Sequence, residues 1–133
     1  VIESVDSYRL AEEISRRSTA LGITSDILVE INSGREENKG GVLPENAAEF
    51  CLALSAFPHV RLRGFMTMAP KCETKEEYRK YFRETYAIYL DFCDKNLHNI
   101  DRTVLSMGMS DSFEEAIACG SDIVRIGRRL FIK

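Results

Sequence analysis

Five short runs rich in branched and aromatic apolar residues, at 1–5, 26–33, 60–68, 102–107 and 122–127, alternate along the chain with stretches whose apolar residues recur at helical spacing. Strands separated by a helix's length of chain cannot close into tight hairpins. The pattern therefore dictates a parallel sheet with right-handed helical crossovers. Ligands of such sheets gather at the carboxyl ends of the strands.

Local signals place the elements. Asp6 or Ser7 can cap a helix with Leu10, Ala11 and Ile14 on one face, and Gly22 stops it. In 26–33, Ile27, Val29 and Ile31 share one face while Leu28, Glu30 and Asn32 share the other, so this strand has a partly polar side. A polar loop, 34–41, follows. Pro44 then opens a helix carrying Ala47, Phe50, Cys51 and Leu54 at i, i+3, i+4 and i+7. Thr74-Lys75-Glu76-Glu77 reads as a capping box before a long helix, whose stripe of Tyr78, Tyr81, Phe82, Thr85, Tyr89 and Phe92 is core packing. A last helix is expected over 112–119, opened by the capping box Ser112-Phe113-Glu114-Glu115, and residues 128–133 can begin another.

Composition narrows the partners. Against 21 acidic residues stand 18 basic ones, for a net charge of −3, and no stretch interleaves clustered Lys and Arg with aromatics, which argues against nucleic acid. No apolar run approaches the ~20 residues of a membrane span, and no leader sequence is visible. Cys51, Cys72, Cys93 and Cys119 lack the close pairing of a zinc site, and free thiols fit a reducing cytoplasm.

The last two strands carry the least ordinary residues. Leu105-Ser106-Met107-Gly108-Met109-Ser110-Asp111 runs from an apolar strand through a glycine toward a helix start, where unpaired N–H groups and the helix dipole favour an anion such as phosphate. In Ile123-Val124-Arg125-Ile126-Gly127 a guanidinium interrupts an apolar strand, with alternation placing Arg125 and Gly127 on one face. Such an arginine is either a ligand-facing group or one half of a structural ion pair, for instance with Glu30.

Five βα units fit either an open doubly wound sheet of flavodoxin type or part of a (β/α)8 barrel. A complete barrel takes ~250 residues, so 133 residues supply only a part. Polar Glu30, Arg63 and Arg125 on one face, and adjacent phosphate-type loops after the last two strands, favour the barrel part.

Taken in order, Ser4-Val5-Asp6-Ser7, Leu28-Val29-Glu30-Ile31-Asn32, Lys39-Gly40-Gly41-Val42, Leu62-Arg63-Gly64-Phe65-Met66-Thr67-Met68, Leu105-Ser106-Met107-Gly108-Met109-Ser110-Asp111 and Val124-Arg125-Ile126-Gly127 resemble the pyridoxal-phosphate homeostasis protein family across essentially the whole chain. The resemblance implies a partial (β/α)8 barrel of about five units, related to the alanine racemase N-terminal domain and lacking that family's first three strands. It implies pyridoxal 5′-phosphate as cofactor and a carrier rather than an enzyme. Ser106, Met107, Gly108, Met109 and Ser110, with Arg125, Gly127 and Arg128, become the expected binding residues. Within that set, Ser110 and the backbone around Met109 would take the phosphate, the backbone of Gly127 and Arg128 would complete the cradle, and Arg125 would face the pyridine nitrogen.

The chain departs from the family in two ways. The family's Schiff-base lysine and the motifs of its second and third strands do not occur here, and the remaining lysines, Lys39, Lys71, Lys75, Lys80, Lys95 and Lys133, lie in loops, on helices or at the terminus. Arg128 stands where many relatives have a small or hydroxylic residue; it can strengthen phosphate binding or point outward. His59 and His98 read as surface residues, and Met66 and Met68 as fillers of the core. An incomplete barrel is also expected to associate with itself through uncovered edges.

Overall fold

The structure, a computed structural model, describes residues 1–95 and 103–131. Four parallel strands, β1 (Ile2–Val5), β2 (Ser25–Ile31), β3 (Val60–Thr67) and β4 (Val104–Met107), lie side by side in the order β1-β2-β3-β4. Between and after them run α1 (Tyr8–Leu21), α2 (Ala47–Leu54) preceded by a 3-10 turn at Pro44–Asn46, α3 (Lys75–Lys95), α4 (Phe113–Ala118) and a 3-10 turn at Arg128–Leu130.

Each boundary has a local cause. Ser7 Oγ accepts the Leu10 N–H at 3.1 Å, and Gly22, at φ +67, ends α1 with its N–H on the Thr19 carbonyl. Thr74 Oγ1 accepts the Glu77 N–H at 3.2 Å, while Glu77 reaches back to the Glu73 N–H, one residue before the capping-box position. The expected box at Ser112 does not form. Its hydroxyl accepts the Met109 N–H at 3.3 Å, and Glu115 is buried with Lys75 Nζ 4.0 Å away.

Strand order decides the architecture. A flavodoxin-type sheet reverses direction and takes helices on both faces, whereas here the strands follow sequence order and the helices pack on one face. Register puts Val29, Phe65 and Leu105 in one row on the helix-covered face, and Ile31, Thr67 and Met107 in the next. The apolar ones among them form one hydrophobic cluster with Ala11, Ile14, Phe50, Leu54, Phe82 and Ala116 of the helices, where each fully buried large side chain is worth about 1.5–3 kcal/mol. The long-helix stripe packs as expected: Phe82 and Thr85 are buried, and Phe92 meets Phe65 edge-on at 5.5 Å. The opposite face carries the row Glu30, Met66 and Ser106. Arg63 falls at a bulge in β3 and bonds Asp26 at 3.2 Å, toward the amino end of β2, well away from that row.

The expected fifth strand is reduced to a single parallel bridge between Ser106 and Ile123. Side chains take the place of its ladder. Ser121 Oγ accepts the Met107 N–H and donates among the Leu105, Met107 and Ile123 carbonyls, while Asp122 Oδ2 accepts the Leu105 N–H at 2.9 Å. Gly108, at φ +100, then turns the chain off the edge, and a Cβ there would lie 2.6 Å from Ala116 Cβ. Arg102, His98 and Lys133 lie outside the described residues.

Candidate functional site

Arg125 reaches back over the carboxyl end of the sheet. One Nη donates to the Ser106 hydroxyl and the other to the Thr67 carbonyl at 2.9 Å, while its own N–H bonds the Gly108 carbonyl at 2.9 Å. A hydroxyl on β4 and a carbonyl at the end of β3 thus hold the guanidinium, and the Gly108 carbonyl holds the backbone it springs from. The alternative ion pair with Glu30 is not formed, since no carboxylate among the described residues lies within 4.0 Å of Arg125. Burial pulls the Arg125 pKa down, and the more distant carboxylates of Glu3 and Glu30 oppose that shift.

Ser110 lies just past β4 and is only 9% exposed. Its Oγ accepts the Arg129 N–H at 3.2 Å through a lone pair, which leaves the hydroxyl proton to donate. Ser110 and Arg129 open on a cavity of about 400 Å³, lined also by Lys71 and Lys75 and by the carboxylates of Glu73, Asp111, Glu114 and Glu115, with Lys75 Nζ 4.0 Å from Glu115. At Gly127 a Cβ would meet nothing within 4 Å. A hydroxyl donor beside an unobstructed backbone is a donor set that fits a phosphate.

The other expected residues are divided. Arg128 is exposed and its guanidinium is taken by Asp111, so what it can offer a ligand is its backbone. Met107 is fully buried in the hydrophobic cluster under the helices, on the face away from Ser106, and its N–H is bonded to the Ile123 carbonyl. Met109 is partly exposed beside Ser110. Lys39 is paired with Glu36 at 3.2 Å, and His59 is an exposed residue contacting the Ile23 carbonyl. Sequence reading missed the contacts of Thr67 and Arg129, because a carbonyl contact and a backbone N–H leave no mark in residue identity.

Another cavity, of about 870 Å³, lies between α2 and α3 on the helix-covered side, with Cys51, Leu52, Ile88 and Phe92 in its wall. Its cations are already committed, Arg35 to Glu45 and Glu84, Arg61 to Asp26 and Lys95 to Asp91, which leaves no charge for an anion. Burial pushes the Cys51 thiol there up to about 12.

Fold and site together define an arc of a (β/α)8 barrel whose polar groups gather at the carboxyl ends of its strands. The sequence profile of the family "Alanine racemase, N-terminal domain" matches residues 1–132, and the chain belongs to that family. It is 42% identical over 131 residues to a pyridoxal phosphate homeostasis protein of Aquifex aeolicus, covering 98% of this chain and 57% of that protein. The PipY structure of Synechococcus elongatus with PLP bound superposes with a TM-score of 0.81 at 30% identity, over 98% of this chain and 60% of that one. An alanine racemase of Clostridium difficile shares the fold, with a TM-score of 0.73 at 21% identity over 96% of this chain and 34% of that one. The chain thus spans a little over half the length of the curated relatives it matches. No helix among the described residues is long and apolar enough to cross a membrane.

Proposed function

We propose that this chain binds pyridoxal 5′-phosphate without a covalent bond and takes part in keeping that cofactor available inside the cytoplasm, as a carrier rather than a catalyst. The observation that carries the reading is the pairing of Arg125, pinned by Ser106 and Thr67, with Ser110 at the adjacent strand end. Ser110, the backbone around Met109 and the backbone of Gly127 and Arg128 would hold the phosphate, with Arg125 facing the ring nitrogen. The cofactor, when bound, supplies an electron-accepting pyridine ring. A permanently charged guanidinium opposite the ring nitrogen keeps that nitrogen unprotonated and weakens the ring as an electron sink, which suits storage and delivery. Relatives named for pyridoxal phosphate homeostasis, and one solved with PLP, support the reading.

Equilibrium dialysis against pyridoxal 5′-phosphate, followed by borohydride reduction and peptide mapping, tests it. Saturable binding at one site with no lysine labelled in stoichiometric amount is the expected result; stoichiometric labelling of one lysine, or no saturable binding, contradicts it.

Self-association belongs to the same proposal. The outer edge of β1 is unpaired among the described residues, and Val1, Leu130 and Phe131 are 73%, 72% and 85% exposed. Sedimentation velocity should show a concentration-dependent coefficient; a monomer at every concentration would count against the association.

A further inference from the structure

Two successive glycines close the loop after β2, and they are glycines for different reasons. Gly41 sits at φ +113, where a Cβ would lie 2.7 Å from the Asn32 amide nitrogen. Gly40 has an ordinary backbone angle. A Cβ there would lie 2.8 Å from Asp6 Oδ2 and 3.5 Å from Glu30 Oε2, so only a residue without a side chain lets both carboxylates come this close to the loop.

Those carboxylates are unequal. Asp6 Oδ2 accepts the Gly41 N–H at 3.1 Å. Glu30 is more than nine-tenths buried, at 7% exposure, yet among the described residues its carboxyl has neither a hydrogen bond nor an ion pair. Glu3 Oε1, on β1, is buried without a partner, whereas the Glu30 carboxyl oxygens keep some contact with solvent. A carboxylate held this way is costly unless it keeps a proton or meets a cation. The nearby cations do not fill the place: Arg125 is bonded to Ser106 and Thr67, and Lys39, next to Gly40, is held by Glu36. Burial first, and then the neighbouring Asp6, push the Glu30 carboxyl above its ordinary value, while the charge of Arg125 pulls the other way.

We propose that the slot beside Gly40, between the carboxylates of Asp6 and Glu30, receives the primary ammonium group of a phosphate-bearing ligand. A protonated amine has three N–H donors and full positive charge, matching two carboxylates that converge on one small space. The inference rests on the cofactor reading above, which places the phosphate at Ser110. Two strand spacings, about 10 Å, separate the strand of Glu30 from the strand that ends before Ser110, so one cofactor-sized molecule can engage both. The aminated form of the cofactor, pyridoxamine 5′-phosphate, has the required chemistry.

Calorimetric titration with pyridoxamine 5′-phosphate and with pyridoxine 5′-phosphate tests this, because the two differ only in an aminomethyl against a hydroxymethyl group. The chain should bind the amine about 5- to 30-fold more tightly. Gly40→Ala, which is free of backbone strain, and Glu30→Gln, which keeps the shape, should each reduce the preference to less than twofold while leaving the affinity for pyridoxine 5′-phosphate within twofold of its original value. Equal affinities in the unaltered chain, or a preference that survives both variants, overturn the ammonium slot while leaving the phosphate site standing. Absence of binding by either compound overturns the cofactor reading and the slot with it.

Discussion

Arg125 Nη2 donates to the carbonyl oxygen of Thr67 at 2.9 Å, across 58 positions of sequence. The bond ties the chain after α4 to the end of β3, and the Ser106 hydroxyl, held between them on β4, takes the second Nη. A guanidinium so fixed presents its remaining surface at one place, which is what orienting a ring requires. Removing it therefore separates two roles. Arg125→Ala should leave Ser106 Oγ and the Thr67 carbonyl unpaired and cost about 1–3 kcal/mol in urea unfolding, while mainly altering the absorbance of bound pyridoxal 5′-phosphate. Loss of the folded state with no spectral effect in a milder Arg125→Lys variant would make the residue structural only.

Ser110→Ala should act on the ligand and little on the fold. Its hydroxyl accepts one bond from the Arg129 N–H and keeps a proton for a phosphate oxygen. Affinity for a phosphate-bearing ligand should fall by about 1.5–3 kcal/mol, the worth of one hydrogen bond to a charged group, with the unfolding midpoint nearly unchanged. Isothermal titration calorimetry measures the affinity and denaturant unfolding the midpoint, each against the unaltered chain.

Stability should depend on pH through Glu30. Its folded pKa lies above the ordinary 4.5, so between the two values the folded state binds the proton more tightly than the unfolded one. Stability from this group is then full below the ordinary carboxylate range and is lost as pH rises through the raised value. Glu30→Gln removes the titration, so the variant should gain stability over the unaltered chain at neutral pH and not at acid pH. Denaturant unfolding at several pH values checks the sign, and a variant less stable at neutral pH would contradict it.

At Gly64 the β4 backbone occupies the place a side chain would take. At φ +150, a Cβ on it would fall 1.8 Å from the Val104 carbonyl oxygen. Gly64→Ala must therefore separate the strands or distort the backbone, at about 2–5 kcal/mol, and amide exchange should speed up first along β4. A variant as stable as the original would show that the two strands are further apart than described.

Much of the fold is legible in the sequence because its signals are local. Ser7 and Gly22 bound α1 through bonds to their own neighbours, and the period-two and near-four patterns give β2, α2 and α3 directly. The fifth strand was not legible: the residues are strand-like, but Ser121 and Asp122 capture the β4 edge with side chains once Gly108 has turned the chain, and that is decided by the tertiary path. At the site, the oddity of Arg125 between two branched apolar residues is visible in the sequence, whereas its partner at Thr67 is a backbone oxygen and so carries no residue signature. Met107 shows the limit of reading a motif as a block. Alternation sends Ser106 and Met107 to opposite faces, so a site that uses the Ser106 hydroxyl loses the Met107 side chain to the core.

The central claim is that the β4 end and the segment from Arg125 to Arg129 grip the cofactor by its phosphate. Parallel binding titrations with pyridoxal 5′-phosphate and with pyridoxal, which has the same ring and aldehyde and no phosphate, measure it most directly. Saturable binding of the phosphorylated compound, with pyridoxal weaker by about 100-fold or more (about 2.7 kcal/mol) and the difference largely lost in Ser110→Ala, is the result predicted. Equal affinity for the two compounds, or a difference untouched by Ser110→Ala, would contradict it.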